Sequence, residues 1–292
     1  MLNVFDYIAG SRIFKKFKVD ELLFVEYKCL IEETKIGIWS HNNCLVYVLG
    51  GKKKWKTRDK EYLVEGGEAI FIKKGAYTAH QYFDDDYCAL LIYIPDEFIK
   101  SVVGKYLHGK PAVKPGIQEN PIMRIHIDES LHGYFYSLLS YFPKPVSPPE
   151  KLLYLKFEEL IFNILSNPVH NEIAEYFMQV HSNSKISIRE IMEANFTFNM
   201  SLTEYARLCG RSLSSFKTEF CSIFKVPPGK WLIQKRLEYG RFLLETTNKS
   251  ITEIAFESGF KNYSHFIRTF KEVYSITPLK FKSSALTVQD IL

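Results

Sequence analysis

Two stretches of the chain carry one pattern of residues. SLTEYARLCG from Ser201 returns as SITEIAFESG from Ser250, pairing Ser201 with Ser250, Glu204 with Glu253, Ala206 with Ala255 and Gly210 with Gly259. One residue further on in register, Phe216 meets Phe266, Phe220 meets Phe270, Phe224 meets Tyr274 and Pro228 meets Pro278. Serine followed three residues later by glutamate forms a reciprocal capping box that starts a helix. A small alanine lets a second helix cross closely, and glycine takes positive φ where the chain leaves the first helix. The phenylalanines, four residues apart, face a core and leave polar side chains outside. The pattern is a helix-turn-helix, present twice. Its chemistry is hydrogen bonding to base edges in a major groove.

Between the copies, PGKWLIQKRLEYGRFLLET from Pro228 to Thr246 reads as one amphipathic helix of nineteen residues, roughly 28 Å long. Successive major grooves on one DNA face lie about 34 Å apart, so one chain can place two recognition helices in neighbouring grooves. Charge agrees with a polyanionic partner. Residues 1–182 hold 22 Lys and Arg against 23 Asp and Glu, whereas residues 183–292 hold 16 against 10, so the net +5 is all C-terminal.

The elements that must carry these motifs follow from the rest of the chain. With 46% hydrophobic residues in 292, two cores are expected rather than one. Up to Pro95 short runs such as LLFVEYKC, CLVYVLGG and CALLIYIP, with turns at Gly50, Gly51, Gly66 and Gly67, predict an antiparallel sandwich or barrel. Apolar spacing of three and four predicts helices over 129–142 and 149–165, separated by the rigid KPVSPP turn. The expected class is α+β, with a regulatory domain over 1–182, a boundary near Asn183 and an all-α DNA-binding domain over 183–285. The five cysteines, Cys29, Cys44, Cys88, Cys209 and Cys221, are scattered and never at CxxC spacing, which suits reduced thiols. No apolar window is long enough for a membrane span and the first residues lack the order of a signal peptide, so a soluble, cytoplasmic protein is expected.

At RLEYGRFLLETTNKSITEIAFESGFKNYSHFIRTFKEVYSITPLKF the chain resembles the AraC/XylS family of transcription regulators, over about Ser187 to Ser283. The resemblance rests on the Arg-Leu of the linking helix, the Ile-Ala pair, Gly-Phe, Phe-x-x-x-Phe-Lys and Thr-Pro. Lys225 and Ser275 stand where that family usually has glycine after each recognition helix. The family's base-reading face maps here onto Ser212, Ser214, Lys217 and Thr218 of the first recognition helix, and onto Asn262, Tyr263, Ser264, Ile267 and Arg268 of the second. Arg268 is the strongest candidate, since a guanidinium pairs bidentately with guanine O6 and N7. Arg211, Lys230 and Lys261 are expected to touch phosphates. The resemblance implies double-stranded DNA, RNA polymerase and a second copy of the chain as partners, and no catalytic residue.

Family members commonly begin with a cupin-like β-barrel and dimerisation helices, and GGEAIFIKKGAYTAH is similar to the barrel turn of such domains. The cupin metal set is incomplete, with His80 and more distantly His41 alone in place, so no metal, no cofactor and no enzyme are expected. Two inputs stay open. A small-molecule effector would meet a pocket of Trp39, Tyr47, Phe71, His80 and Tyr82; a protein partner would instead dock on the domain. LVYVLGGKKKW, GGEAIFIKKGAY and FKTEF look like the subgroup that activates type III secretion genes, which favours a protein. The broad apolar stripe over Lys151 to Leu165 is explained either by a dimer contact or by burial within its own domain.

Overall fold

The computed structural model describes residues 1–28, 35–82, 86–107, 120–182 and 187–289, with 285–289 given by backbone alone. Cys29 and the expected boundary at Asn183 lie outside the described residues. The chain divides into two compact units, Met1–Ile186 and Ser187–Leu292.

The first unit runs β1 (Leu2–Asn3), α1 (Val4–Gly10), β2 (Lys15–Val19), β3 (Leu22–Lys28), β4 (Lys35–Ser40), β5 (Asn43–Gly50), β6 (Lys52–Lys56), β7 (Glu61–Glu65), β8 (Ala69–Ile72), β9 (Gly75–Gln81) and β10 (Cys88–Ile94). There follow α2 (Asp96–Leu107), β11 (Ile122–Ile125), α3 (Glu129–Leu139), α4 (Glu150–Ser166) and α5 (Asn171–Ser182). Strands β1-β4-β9-β6-β7 form one sheet and β11-β8-β5-β10-β3-β2 another. The expected barrel is thus two sheets that do not close into one. Helices α3 and α4 fall where apolar spacing put them, and α2 and α5 add two more.

Burial on both faces explains why the longer strands are apolar throughout. In β3, Leu23 and Val25 pack toward the five-stranded sheet, while Leu22 and Phe24 pack toward the helices. Phe24 stacks on Phe157 of α4 with ring centroids 3.8 Å apart. In the five-stranded sheet β6 and β7 alternate, with Lys53, Trp55 and Val64 their buried positions, whereas β4 and β9 each bury three residues in a row. A buried polar residue, Asn43, pins the helices to the sheet. Its amide nitrogen donates to Ile94 O at 3.1 Å and to Asp96 Oδ1 at 2.8 Å, and its oxygen accepts from Tyr176 Oη at 2.7 Å. The stripe on α4 is spent inside this unit, with Leu153, Phe157, Leu160, Ile161, Ile164 and Leu165 all buried.

The second unit is helical: α6 (Ile188–Asn195), α7 (Leu202–Leu208), α8 (Leu213–Phe224), α9 (Pro228–Thr246), α10 (Ile251–Glu257), α11 (Tyr263–Tyr274) and α12 (Pro278–Gln289). The long helix α9 separates the pair α7/α8 from the pair α10/α11. Near its start Trp231 meets Phe220 and Phe224 of α8, with centroids 5.8 and 5.0 Å apart. Further along, Gly240 lets Phe266 of α11 approach so closely that a Cβ there would lie 2.9 Å from the ring.

Gly259 is more tightly enclosed than Gly240. Its φ is +94°, and an added Cβ would sit 2.7 Å from Thr197 O. Gly259→Ala is therefore expected to destabilise the protein by roughly 1–3 kcal/mol. Thermal or urea unfolding of the full chain measures this, and an unchanged midpoint would contradict the assigned backbone geometry.

Candidate nucleic-acid interface

Both helix pairs are built by the same local devices. Ser201 Oγ accepts from Glu204 N at 3.3 Å while the Glu204 carboxylate accepts from Ser201 N at 2.6 Å. Ser250 and Glu253 repeat this at 3.2 and 2.8 Å. The backbone N–H and the hydroxyl of Ser250 hold the Glu253 carboxyl below its ordinary pKa, as expected for a carboxylate that accepts hydrogen bonds.

The turns are identical too. Arg211 N donates to Ala206 O at 2.9 Å and Gly210 N to Arg207 O at 2.9 Å; Phe260 N donates to Ala255 O and Gly259 N to Phe256 O, both at 3.0 Å. These paired bonds define a Schellman motif, which needs a left-handed residue, here Gly210 at φ +66° and Gly259 at +94°. The recognition helices are then capped by Ser212, which accepts from Ser215 N at 3.2 Å, and by Asn262, which accepts from Ser264 N and His265 N at 2.8 and 3.2 Å. Each ends on a left-handed residue, Lys225 at φ +60° and Ser275 at +61°, so the missing family glycines do not alter the exit.

With the cores filled by Phe216, Phe220, Phe266 and Phe270, all wholly buried, the opposite faces are open. Ser214, Lys217 and Thr218 of α8 are exposed, as are Tyr263, Ser264 and Arg268 of α11; Ile267 is half-buried. Neither Lys217 nor Arg268 is drawn into an ion pair with a described residue. Ser212 and Asn262 are exposed but spend an oxygen on capping, and Thr218 Oγ1 donates to Ser214 O at 3.1 Å. Lys230 and Lys261 point to solvent.

Arg211 does not. Its Nε donates to Glu219 Oε2 at 2.8 Å and its Nη1 to Cys209 O at 2.6 Å, leaving the side chain 11% exposed. It clamps the turn to α8, and Glu219, eight residues on, captures the guanidinium expected at a phosphate.

Sequence reading missed Arg236 on α9. Its Nε donates to Phe196 O at 2.7 Å and its Nη2 to Phe198 O at 2.9 Å. The Arg-Leu pair marked the position, but carbonyls forty residues upstream gave no sign of it. Tyr205 Oη donates to Asn195 O at 2.7 Å; burial raises the Tyr205 pKa, which keeps that proton in place.

In the first unit, a cavity with about 630 Å³ of empty space, its mouth included, lies between the two sheets. Tyr27, Lys53, Trp55, Tyr77, Tyr87 and Tyr93 are among its lining. Of the five expected pocket residues only Trp39 lines it. Tyr47 and Phe71 occupy the other face of the six-stranded sheet, where Tyr47 stacks on Phe135 at 4.3 Å and Phe71 packs on Phe177 at 5.3 Å. Strand alternation decides this: Val46 and Ile72 take the inward positions. His80 lies opposite Lys35 and Lys54 in the outer registers of β9, and burial, aided by those two cations, lowers its pKa. Tyr82 lies under the Lys52 ammonium at 5.3 Å. Lys53 is unusual in facing inward, 5% exposed, with its ammonium 4.6 Å from the Tyr87 ring centre and 5.0 Å from that of Tyr27. Among the described residues no group of three or more His, Cys, Asp or Glu side chains could hold a metal ion.

Residues 205–284 match a helix-turn-helix domain family and residues 43–176 match the ExsA N-terminal regulatory domain family. The chain thus carries an AraC-type helix-turn-helix domain behind an ExsA-type N-terminal regulatory domain. This regulator is 23% identical over 239 residues to the virulence regulon transcriptional activator VirF of Yersinia enterocolitica, across 80% of this chain and 86% of that one. It is 25% identical over 237 residues to the HTH-type transcriptional regulator ExsA of Pseudomonas aeruginosa, across 80% and 84%. An apo point variant of ToxT from Vibrio cholerae aligns at a TM-score of 0.44, with 15% identity across 89% of this chain and 96% of that one. The regulator is thus a DNA-binding transcription factor.

Arg268→Ala is expected to weaken binding to a cognate duplex by roughly 1–3 kcal/mol and to relax preference at one base pair. Titration against cognate and random duplexes checks it; equal losses on both would remove Arg268 from base reading.

Proposed function

We propose that the protein is a sequence-specific transcription activator that reads two successive major grooves with α8 and α11 and takes its control signal through the N-terminal unit. The observation carrying this reading is the duplicated motif, closed by the same caps and turns, whose two open faces differ in chemistry. Serine, lysine and threonine on one face and tyrosine, serine and arginine on the other suit two unlike base sequences, read in fixed order.

Base reading belongs to Ser212, Ser214, Lys217, Thr218, Asn262, Tyr263, Ser264, Ile267 and Arg268, with Lys230 and Lys261 on phosphates. Activation fits the names of VirF and ExsA, and the N-terminal match favours the type III secretion activator-like subgroup. RNA polymerase is then the second partner. No step of bond chemistry is assigned to the chain, and the cytoplasm is its place of action; among the described residues no helix is long and apolar enough to cross a membrane. The α4 stripe is consumed internally, so self-association rests instead on the exposed Tyr136 of α3 and Leu155 of α4. The subgroup resemblance speaks for a protein input, while the inter-sheet cavity with its inward lysine supports a small-molecule input as the second reading.

The direct test is binding of the full chain to duplex DNA across a salt series. Log affinity should fall linearly with log salt, with a slope of about −0.9 per phosphate contacted and about −4 or steeper in total. A flat response, or equal affinity for selected and random duplexes, would contradict the reading.

A further inference from the structure

We propose that Arg236 is a positioning residue for DNA recognition: by tying the turn at Phe196 to Phe198 onto the middle of α9, it holds the two helix-turn-helix motifs at the separation at which both can read one duplex. The inference rests on the two-groove reading above and adds to it the device that sets the spacing.

The turn between α6 and α7 touches every part that must be held. It is joined to the first motif through Tyr205, whose hydroxyl reaches Asn195 O at 2.7 Å. It meets the linking helix through the Phe196 ring, whose centroid lies 6.5 Å from Trp231 and 5.9 Å from Tyr239, both edge-on. It abuts the second motif at Gly259, where an added Cβ would fall 2.7 Å from Thr197 O and 2.9 Å from Arg236 Nε. The guanidinium of Arg236 closes this junction with bonds to the carbonyls on either side of Thr197, at 2.7 and 2.9 Å. Two diverging acceptors suit a planar fork, whereas the ammonium of lysine is a point charge that cannot hold both in one geometry.

With its Nε and one Nη2 donor bonded to carbonyls inside the fold, Arg236 is not placed to read DNA. Its effect is on effective concentration: once the first motif is bound, a rigid junction presents the second to its groove, and loosening it lowers the joint affinity without touching either interface.

The test uses the full chain and a duplex selected by the wild-type protein from a random-sequence library. Three probes are compared: that duplex, the duplex with one of its two boxes scrambled, and the duplex with one base pair inserted between the boxes. Wild type should lose about a hundredfold or more on scrambling. Arg236→Gln and Arg236→Lys should shrink that penalty by about tenfold or more and tolerate the insertion, while single-box affinity stays within a few-fold. Lost folding alone lowers the active fraction equally for all probes, leaving their ratios unchanged; if circular dichroism finds the glutamine variant unfolded, the lysine variant decides. A common factor of loss on every probe, or no loss, overturns the inference. Selection of a motif with only one box by wild type would remove the two-groove reading itself.

Discussion

Close packing against the single helix α9 governs the DNA-binding unit. One motif rests on the Trp231 end through two aromatic contacts, and the other rests beyond Gly240, where the absence of a side chain admits the Phe266 ring. The two seats lie nine residues apart on a helix of nineteen, about 14 Å along its axis at 1.5 Å per residue, and the motifs extend outward from them. A flexible linker of equal length would bring the motifs together by chance; a helix packed at both ends fixes distance and phase together.

Within that frame the two motifs share their skeleton and differ in their faces. Capping boxes, Schellman turns and left-handed exits recur bond for bond, because each satisfies backbone groups that would otherwise be left without partners at a helix end. The outward positions are under no such constraint and have diverged, Lys217 standing where the second copy has Ile267, and Thr218 where it has Arg268.

How far the sequence discloses this depends on the range of the interaction. The caps at Ser201 and Ser250, the turns at Gly210 and Gly259 and the bounds of α9 are local, and sequence spacing locates them. Arg211 is misplaced by the same reasoning, since its partner Glu219 sits eight residues away on the next helix. Arg236 engages carbonyls some forty residues upstream, a contact that only the folded chain brings about. In the N-terminal unit, strands covered on both faces lose the alternation that tells in from out, so Tyr47 and Phe71 read as pocket residues although they face the helices. Lys53 illustrates the converse: it stands in a run of lysines, Lys52 to Lys54, yet lines the cavity at 5% exposure because β6 turns alternate side chains inward.

The central claim is that α8 and α11 enter two grooves on one face of the duplex. Missing-base and hydroxyl-radical footprinting of the full chain on its selected duplex reads this directly. The account predicts two short major-groove tracts on the same face, centred about one helical turn, roughly 10 base pairs, apart, with the tract under α11 altered by changes at Arg268. A single tract, or two tracts on opposite faces, would contradict it.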